Sequence, residues 1–447
     1  MSAPFAPPQT TRPRWERWPP VCATTPLAAL AGLSGAALHF AGALKSTPLG
    51  AALPFDLTLA ALAVLLPTLA LLLCAEGGAR GGGGGRRLAP ALGPPLAGAA
   101  GLWLWLVLAG VWSRSAGILA AKLPEVVLLG PAMLLAGFAI GAEARARHAF
   151  CAATLAIGAL AAVTIAWGLA TGQVVLGGLP GTTPPDQLRV QYQIAGLAIA
   201  SAAGLAALHA AEAWLRRRAA AALLWLAVLG GLAVAALLSG GRAALAGLGL
   251  AAGLAPALRL WRGGRPLDAL AWVLLMAFAV LAGLALLLAD PSRATGLRTL
   301  ERLTGPDLAE SSGRALLWSE ALMRAGEAMP FGLGTGSFAI AAGFGERRGL
   351  YPHNHALEAL AEGGLPGFAL WLLAFGGAGV AALALGARVA PGRAARIAAL
   401  VLPMAVAILV STDLGNRMAW LALGLALSLG VEAPLPTRRE GVRPRDV

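Results

Sequence analysis

Long apolar runs separated by short polar connections make up most of the chain. A helix needs about 20 apolar residues to cross the roughly 30 Å hydrocarbon core of a bilayer, and about twelve runs reach or approach that length. They cover residues 25–43, 54–75, 91–112, 117–141, 149–170, 193–214, 219–238, 243–260, 267–289, 365–387, 397–411 and 418–432, of which the last two are the shortest. The pattern predicts an all-α polytopic membrane protein with about 12 transmembrane helices and one long, partly helical loop.

Arginine clusters occupy alternate connections, beginning with Arg12, Arg14 and Arg17 before the first run. Short loops rich in lysine and arginine remain on the cytoplasmic side of a membrane. We therefore expect both termini in the cytoplasm and the long loop outside. The first run lacks a convincing cleavage site, so we interpret it as a retained signal anchor.

This topology divides the chain into five parts. They are a cytoplasmic tail (1–24), transmembrane helices 1–9 (25–289), a periplasmic loop (290–354), transmembrane helices 10–12 (355–432) and a second cytoplasmic tail (433–447). The glycine-rich segment Gly77–Arg87 is expected to be a flexible cytoplasmic linker. It lacks the preceding strand and the Gly-Lys-Ser/Thr ending of a phosphate loop.

Composition agrees with a membrane protein, since 58% of the residues are hydrophobic and 12% are charged. The net charge of +13 does not indicate nucleic-acid binding, because the arginines follow the spacing of topology signals. Cys22, Cys74 and Cys151 lack metal-ligand spacing and fall at or beside the inner ends of predicted spans. No disulfide is therefore expected.

The long outer loop contains one clear helical pattern, GRALLWSEALMRAGEA, which begins at residue 313. Ser311 and Ser312 are placed to cap it. Glu320, Arg324 and Glu327 form a charged stripe, and the four-residue spacing of Glu320 and Arg324 favours an ion pair. The loop is therefore expected to be partly ordered rather than a simple tether.

Arg314 lies on the other face of this predicted helix. At 100° per residue it aligns with Trp318, Ala321 and Ala325, away from the charged stripe. An arginine on the apolar side of a helix above a membrane requires an anionic partner or a route to water. Arg314 is thus a candidate functional residue.

Two other outer connections carry arginines. Arg242 stands in the very short connection SGGRAALAG between two spans, and Arg189 precedes a span whose start carries Gln191 and Gln193. A single arginine at a membrane interface is usually an anchor, whereas several at one face can form an anion site. In the long loop, Gly332–Phe338 (GLGTGSF) is expected to form a tight turn that approaches a neighbouring backbone closely.

The segment Tyr351–Gly367 (YPHNHALEALAEGGLPG) leads into an apolar span. A helix starting at Pro352 would place His353 on one face with Leu357 and Leu360. His353 would then stand at the outer mouth of the membrane region. A histidine there can be an acid or base catalyst or a residue that only contacts lipid head groups.

Four of these motifs, taken in order, resemble the O-antigen ligase superfamily, which also includes polysaccharide polymerases and some protein glycosyltransferases. They are SGGRAALAG, GRALLW, GLGTGSF and PHNHALEALAEGG, between about Ser239 and Leu385. The earlier spans resemble the family in number and topology only. The resemblance implies a membrane enzyme that transfers a glycan from undecaprenyl pyrophosphate to a sugar hydroxyl, such as that of a lipid A-core, with no cofactor.

The resemblance extends to His353, Arg314 and Arg242 at matching positions, and to Arg189 in a region where glutamines stand in place of the family's frequent asparagine. Arginines suit a pyrophosphate because the guanidinium binds phosphate oxygens in pairs and stays charged. A neutral His353 can remove the hydroxyl proton, and direct attack inverts the anomeric carbon. Asp307 and Glu310 stand apart in the loop, so we expect a metal-independent reaction in which arginines supply the positive charge.

Asn354, Glu362 and Trp318 are expected to support this site, and Glu358 or Glu362 could orient a ring nitrogen of His353. Two other functions stay open. A polymerase would use the same chemistry to extend the lipid-linked glycan. A secondary transporter would need ionisable or broken positions near the middle of the membrane, where His39 and His209 are the main polar residues.

Overall fold

The computed structural model describes residues 24–78, 87–177, 183–184, 186–289, 296–304 and 313–432. The helices are α1 (Thr24–His39), α2 (Ala41–Lys45), α3 (Pro48–Ala51), α4 (Leu57–Gly78), α5 (Gly93–Ala109), α6 (Ala116–Pro124), α7 (Gly130–Ala142), α8 (Ala144–Thr171), α9 (Tyr192–Leu215), α10 (Ala219–Ser239), α11 (Arg242–Arg262), α12 (Pro266–Ala289), α13 (Arg298–Thr304), α14 (Arg314–Glu327), α15 (Phe338–Ala341), α16 (His355–Trp371), α17 (Gly377–Gly386), α18 (Pro391–Val410) and α19 (Arg417–Leu427). The predicted all-α membrane fold is confirmed. The expectations for Ser311, Ser312, Cys22, the glycine-rich segment and both tails fall outside the described residues or at their edge.

Among the described residues, 10 helical segments are long and apolar enough to cross a membrane. Two of them join consecutive helices through a π-helical turn, at Glu125–Leu129 and Leu372–Gly376. Two further apolar helices, Pro26–His39 and Arg417–Gly430, are shorter. The span predicted at residues 397–411 is present but longer than predicted, because α18 begins at Pro391.

The helix α9 lies at the centre of the bundle, with 89% of its span buried, whereas the window at the start of α12 is only 6% buried. Small residues on α9 allow the neighbouring helix α11 to approach it closely. A Cβ added at Gly196 would lie 2.7 Å from the Cβ of Ala244, and one added at Gly204 would lie 2.7 Å from the Cβ of Ala251. Close packing through small residues replaces the hydrophobic driving force that is missing within lipid.

Short strands pair in two places. β1 (Arg87–Leu88) pairs antiparallel with β4 (Val431–Glu432), and β2 (Val174–Leu176) pairs in parallel with β3 (Leu188–Val190). The second pair closes the connection between α8 and α9. It fixes the chain that leads into the central helix.

The polar connections gather at two opposite ends of the bundle, as α11 shows. At its carboxyl end, the Arg262 guanidinium donates to the Val389 carbonyl at 2.7 Å. Nearby, Arg396 pairs with Glu212 at 3.2 Å. At its amino end, Arg242 approaches residues of the long loop. Among the described residues, the basic connections around Arg262 and Arg396 therefore lie at one end of the bundle, and Arg242, Arg314 and His353 lie at the other.

Candidate functional site

His353 lies immediately before a helix, not within one. The helix α16 begins at His355, and the Asn354 side chain caps it by accepting a hydrogen bond from the Leu357 N–H at 3.1 Å. The prediction that a helix starts at Pro352 was therefore wrong. Asparagine is among the best N-cap residues, so the helix starts directly after it. His353 has φ of 55°, and this left-handed turn orients its ring.

Arg314 is the first residue of α14. Its helix face carries Ala321 and Ala325, which are 1% and 2% exposed, so the predicted apolar face is confirmed. Trp318, one turn along, donates its indole N–H to the Pro352 carbonyl at 2.9 Å. The helix that begins at Arg314 is thereby fastened to the residue before His353.

One cavity of about 170 Å³ brings together Arg242, Arg314 and His353, and we call it the arginine cavity. Tyr192 and Ser411 also line it. These residues come from five separate regions of the sequence. The fold therefore unites three of the residues that the sequence singled out.

Three helices begin at this cavity: α9 at Tyr192, α11 at Arg242 and α14 at Arg314. The first N–H groups of a helix have no partner within the helix, and its dipole is positive at that end. An arginine is unfavourable in the first turn for the same reason. Two arginines beside three helix starts therefore form an environment that favours a bound anion such as a phosphate.

The pKa of His353 lies below its ordinary value. Burial is the main cause, and the positive charge of Arg314 acts in the same direction, while a backbone hydrogen bond at Ser411 opposes them. Its Nδ1 atom is buried and has no hydrogen-bond partner in the described part of the chain. A neutral imidazole is the form that can accept a proton.

Arg189 lies outside the lining of the arginine cavity. It is in β3, opposite Val175, and its Nε donates to the Gly177 carbonyl at 3.2 Å. Three residues later Tyr192 reaches the cavity. Arg189 is thus close to the site along the chain but does not form its wall.

Glu358 and Glu362 bind a buried lysine. The Lys122 Nζ pairs with Glu358 and, at 2.6 Å, with Glu362. Glu358 also accepts from the Leu414 N–H at 2.8 Å. The expectation that one of these glutamates orients the His353 ring was wrong. A buried carboxylate takes the nearest cation, because an uncompensated charge there is very costly.

Sequence reasoning missed Lys122 as a site residue. The signal was present, since this lysine lies inside the apolar run 117–141. Ionisable residues within a membrane span are rare and are usually paired with a partner. Its two partners are separated from it by 236 and 240 residues, so no local pattern identifies them.

The predicted close turn at Gly332–Phe338 is confirmed. Gly332, Gly334 and Gly336 all have positive φ, and a Cβ added at Gly334 would lie 2.9 Å from the Ser113 nitrogen. The Gly336 N–H donates to the Glu362 carboxylate at 2.9 Å. The Glu362 side chain thus links this turn of the long loop to the buried cluster of Lys122, Glu358 and Glu362.

The fold and the site define a class of protein: a polytopic helical membrane protein with a cavity lined by two arginines and a histidine. The family model described as O-antigen ligase matches residues 222–372, about a third of the chain, and supports membership of the O-antigen ligase superfamily. The match includes Arg242, Arg314 and His353. At the level of the family it implies a membrane glycosyltransferase of ligase or polymerase type that acts on lipid-linked glycans. No curated protein matches the chain in sequence.

Proposed function

We propose that this protein transfers a glycan, the O-antigen, from undecaprenyl pyrophosphate to a sugar of a lipid A-core. The observation that carries the proposal is the arginine cavity, where Arg242, Arg314 and the helix starts surround one small space beside His353. A pyrophosphate needs that concentration of positive charge. The acceptor hydroxyl needs a base within reach.

In the proposed reaction, the acceptor oxygen attacks the anomeric carbon of the donor glycan. His353 takes the hydroxyl proton while the bond from that carbon to the pyrophosphate oxygen breaks. Undecaprenyl pyrophosphate leaves, and the attack from the opposite side inverts the anomeric carbon. The lowered pKa of His353 supports its role, because the ring is neutral and ready to accept a proton near pH 7.

Arg242 and Arg314 are assigned to the leaving pyrophosphate. A guanidinium binds two phosphate oxygens at once and keeps its charge at any working pH. Charge that develops on the leaving group is then stabilised by fixed cations and helix N–H groups. We propose a metal-independent reaction on the strength of these arginines, and we assign Arg189 to donor contacts outside the cavity, on the chain that leads into α9.

Three residues support the site in this proposal. Asn354 caps α16 directly after His353, and Trp318 holds the Pro352 carbonyl before it. Glu362 ties the glycine turn to the buried Lys122. Asn354 and Trp318 act on the backbone beside the base, whereas Glu362 acts on the glycine turn.

We assign the arginine cavity to the periplasmic face of the inner membrane. The support is the distribution of arginines in the short connections, which gather at the opposite end of the bundle. Both termini are then cytoplasmic. A lipid-linked donor can reach the cavity from the outer leaflet.

The proposal is tested with purified full-length protein, a lipid-linked glycan and purified lipid A-core. His353→Ala is expected to abolish transfer, with lipid-linked glycan accumulating in cells that carry the variant. Normal transfer by a correctly folded His353→Ala protein would contradict the assignment. A deletion strain separates ligase from polymerase, since loss of a ligase leaves bare core and loss of a polymerase leaves core with a single repeat unit.

A further inference from the structure

A second cavity, of about 320 Å³, lies near the arginine cavity. Tyr351 lines this second space, and its ring contacts the His353 ring with centroids 4.1 Å apart. The volume falls within the range of roughly 300–1,000 Å³ that is usual for small-molecule sites. The Tyr351 ring would lie between a ligand in this cavity and the His353 ring.

The second cavity is acidic, and we call it the acidic cavity. Its charged side chains are Lys122, Glu125, Arg348, Glu358, Glu362 and Asp413, with four carboxylates against two cations. The arginine cavity has the opposite sign. An anionic pyrophosphate is therefore attracted to one side of Tyr351 and repelled from the other.

Most of the charges in the acidic cavity already have partners. Lys122 binds both glutamates of α16, and Arg348 pairs with Glu125. Asp413 also lines this cavity, and the charges of Lys122 and Arg348 act on its carboxyl. Burial, the main cause, raises the pKa of this carboxyl above its ordinary value. A ligand that donates hydrogen bonds would satisfy it.

Sugar hydroxyls are donors of that kind. A neutral sugar ring brings several hydroxyl groups without the charge that the carboxylates would repel, and its apolar face can pack on the ring of Tyr351. A sugar unit that carries a phosphate or a carboxylate is disfavoured by the same charges. The two cavities therefore differ in the chemistry that each can accept.

We infer that the acidic cavity binds the acceptor through a neutral, hydroxyl-rich sugar ring that contacts Asp413, Glu125 and Tyr351. The inference rests on the proposed function, because it supplies the second substrate of that reaction. Because the Tyr351 ring lies between this cavity and His353, the sugar bound here is a neighbour of the acceptor sugar whose hydroxyl reacts, and it positions that hydroxyl beside His353. No bond is made or broken by the acidic residues themselves.

The experiment measures transfer by the full-length protein while acceptor and donor concentrations are varied separately. Asp413→Asn is expected to raise the KM for purified lipid A-core by about 10-fold or more, since a hydrogen bond to a charged group is lost. Its KM for the lipid-linked donor stays unchanged. Arg242→Gln is the matched control. It is expected to raise the KM for the lipid-linked donor and to leave the KM for lipid A-core unchanged.

Glu125→Gln serves as a second variant in case Asp413→Asn fails to fold, as judged by gel filtration. An unchanged acceptor KM in both variants, or a raised donor KM in Asp413→Asn, would overturn the inference. Binding of lipid A-core is also measured without donor, so that its result does not depend on the reaction. If Asp413→Asn leaves the acceptor KM unchanged while transfer still requires His353, only this inference is contradicted. Transfer that survives His353→Ala contradicts the proposed function instead.

If the wild-type protein does not bind lipid A-core but extends lipid-linked glycan, the ligase assignment is refuted. The same pair of variants is then measured with lipid-linked glycan as acceptor. Asp413→Asn must still weaken acceptor use and spare donor use for the acidic cavity to remain the acceptor subsite.

Discussion

The indole N–H of Trp318 donates to the carbonyl oxygen of Pro352 at 2.9 Å, and this bond joins two parts of the site. Trp318 follows Arg314 by one helical turn, and Pro352 directly precedes His353. This hydrogen bond therefore helps to set the separation between His353 and Arg314, together with the apolar packing of α14 on α16. The residues that make it contact no substrate in the proposed reaction.

Trp318→Phe tests this bond. The variant keeps an aromatic ring but loses the donor, so the segment before His353 is held less firmly. A typical hydrogen bond contributes about 1 kcal/mol, and we expect kcat to fall by about 5- to 10-fold with donor KM nearly unchanged. The measurement is steady-state transfer at saturating acceptor. Ser319→Ala, an exposed change on the same helix, is the control, and an equal loss in both variants would count against a specific role for Trp318.

The lowered pKa of His353 predicts the pH dependence of transfer. A base works in its neutral form, so the rate should hold as the pH falls and decline only when the pH passes through the folded pKa, below about 6.5. Arg314→Gln removes one cause of the lowering. The midpoint of the acid limb should therefore move upward in that variant, on top of a slower rate. The measurement is kcat/KM against pH, and a midpoint above about 6.5 in the wild type would contradict a depressed base.

Much of this fold could be predicted from local patterns. Apolar runs identified the spans, and the helical spacing around Arg314 identified its buried face because Ala321 and Ala325 recur at the right interval. The glycines of Gly332–Phe338 indicated a close backbone approach. These features depend on residues that are near one another in sequence.

Other features depend on partners that are far apart. The position of His353 was mispredicted because a proline and an asparagine both favour a helix start, and the Asn354 cap prevailed. Lys122 pairs with Glu358, which lies 236 residues further along the chain. No local sequence pattern identifies that partner. Asp413, in the connection between α18 and α19, lines the acidic cavity together with residues that are more than 50 positions away in sequence.

Gly334→Ala is expected to destabilise the protein strongly. The residue has φ of 93°, and an added Cβ would lie 2.9 Å from the Ser113 nitrogen and 3.0 Å from the Ala109 carbonyl oxygen, which are backbone atoms that cannot move aside. Gly343→Ala is the matched control, since its φ is 81° but an added Cβ meets nothing within 4 Å. Thermal unfolding in detergent should show a clearly larger loss for Gly334→Ala. Equal losses would mean that backbone conformation alone sets the requirement for glycine.

Lys122→Met should destabilise the protein by about 3–5 kcal/mol, because it leaves two buried carboxylates without a cation. The side chains of Glu358 and Glu362 are 0% and 3% exposed. Lys45→Met is the control: Lys45 forms an ion pair with Asp56 at 2.6 Å, but the side chains are 37% and 45% exposed, so solvent replaces the lost partner.

A triple variant distinguishes the contribution of charge balance to stability from that of packing. Adding Glu358→Gln and Glu362→Gln to Lys122→Met removes the uncompensated charges, and the midpoint of thermal unfolding should recover much of its loss. If the triple variant is as unstable as Lys122→Met alone, the lysine contributes through its shape and its hydrogen bonds rather than through charge balance. The carboxylates of Glu362 and Glu358 also accept hydrogen bonds from the Gly336 and Leu414 N–H groups. The side-chain oxygen of a glutamine can accept the same bonds, so the glycine turn should stay in place in the triple variant.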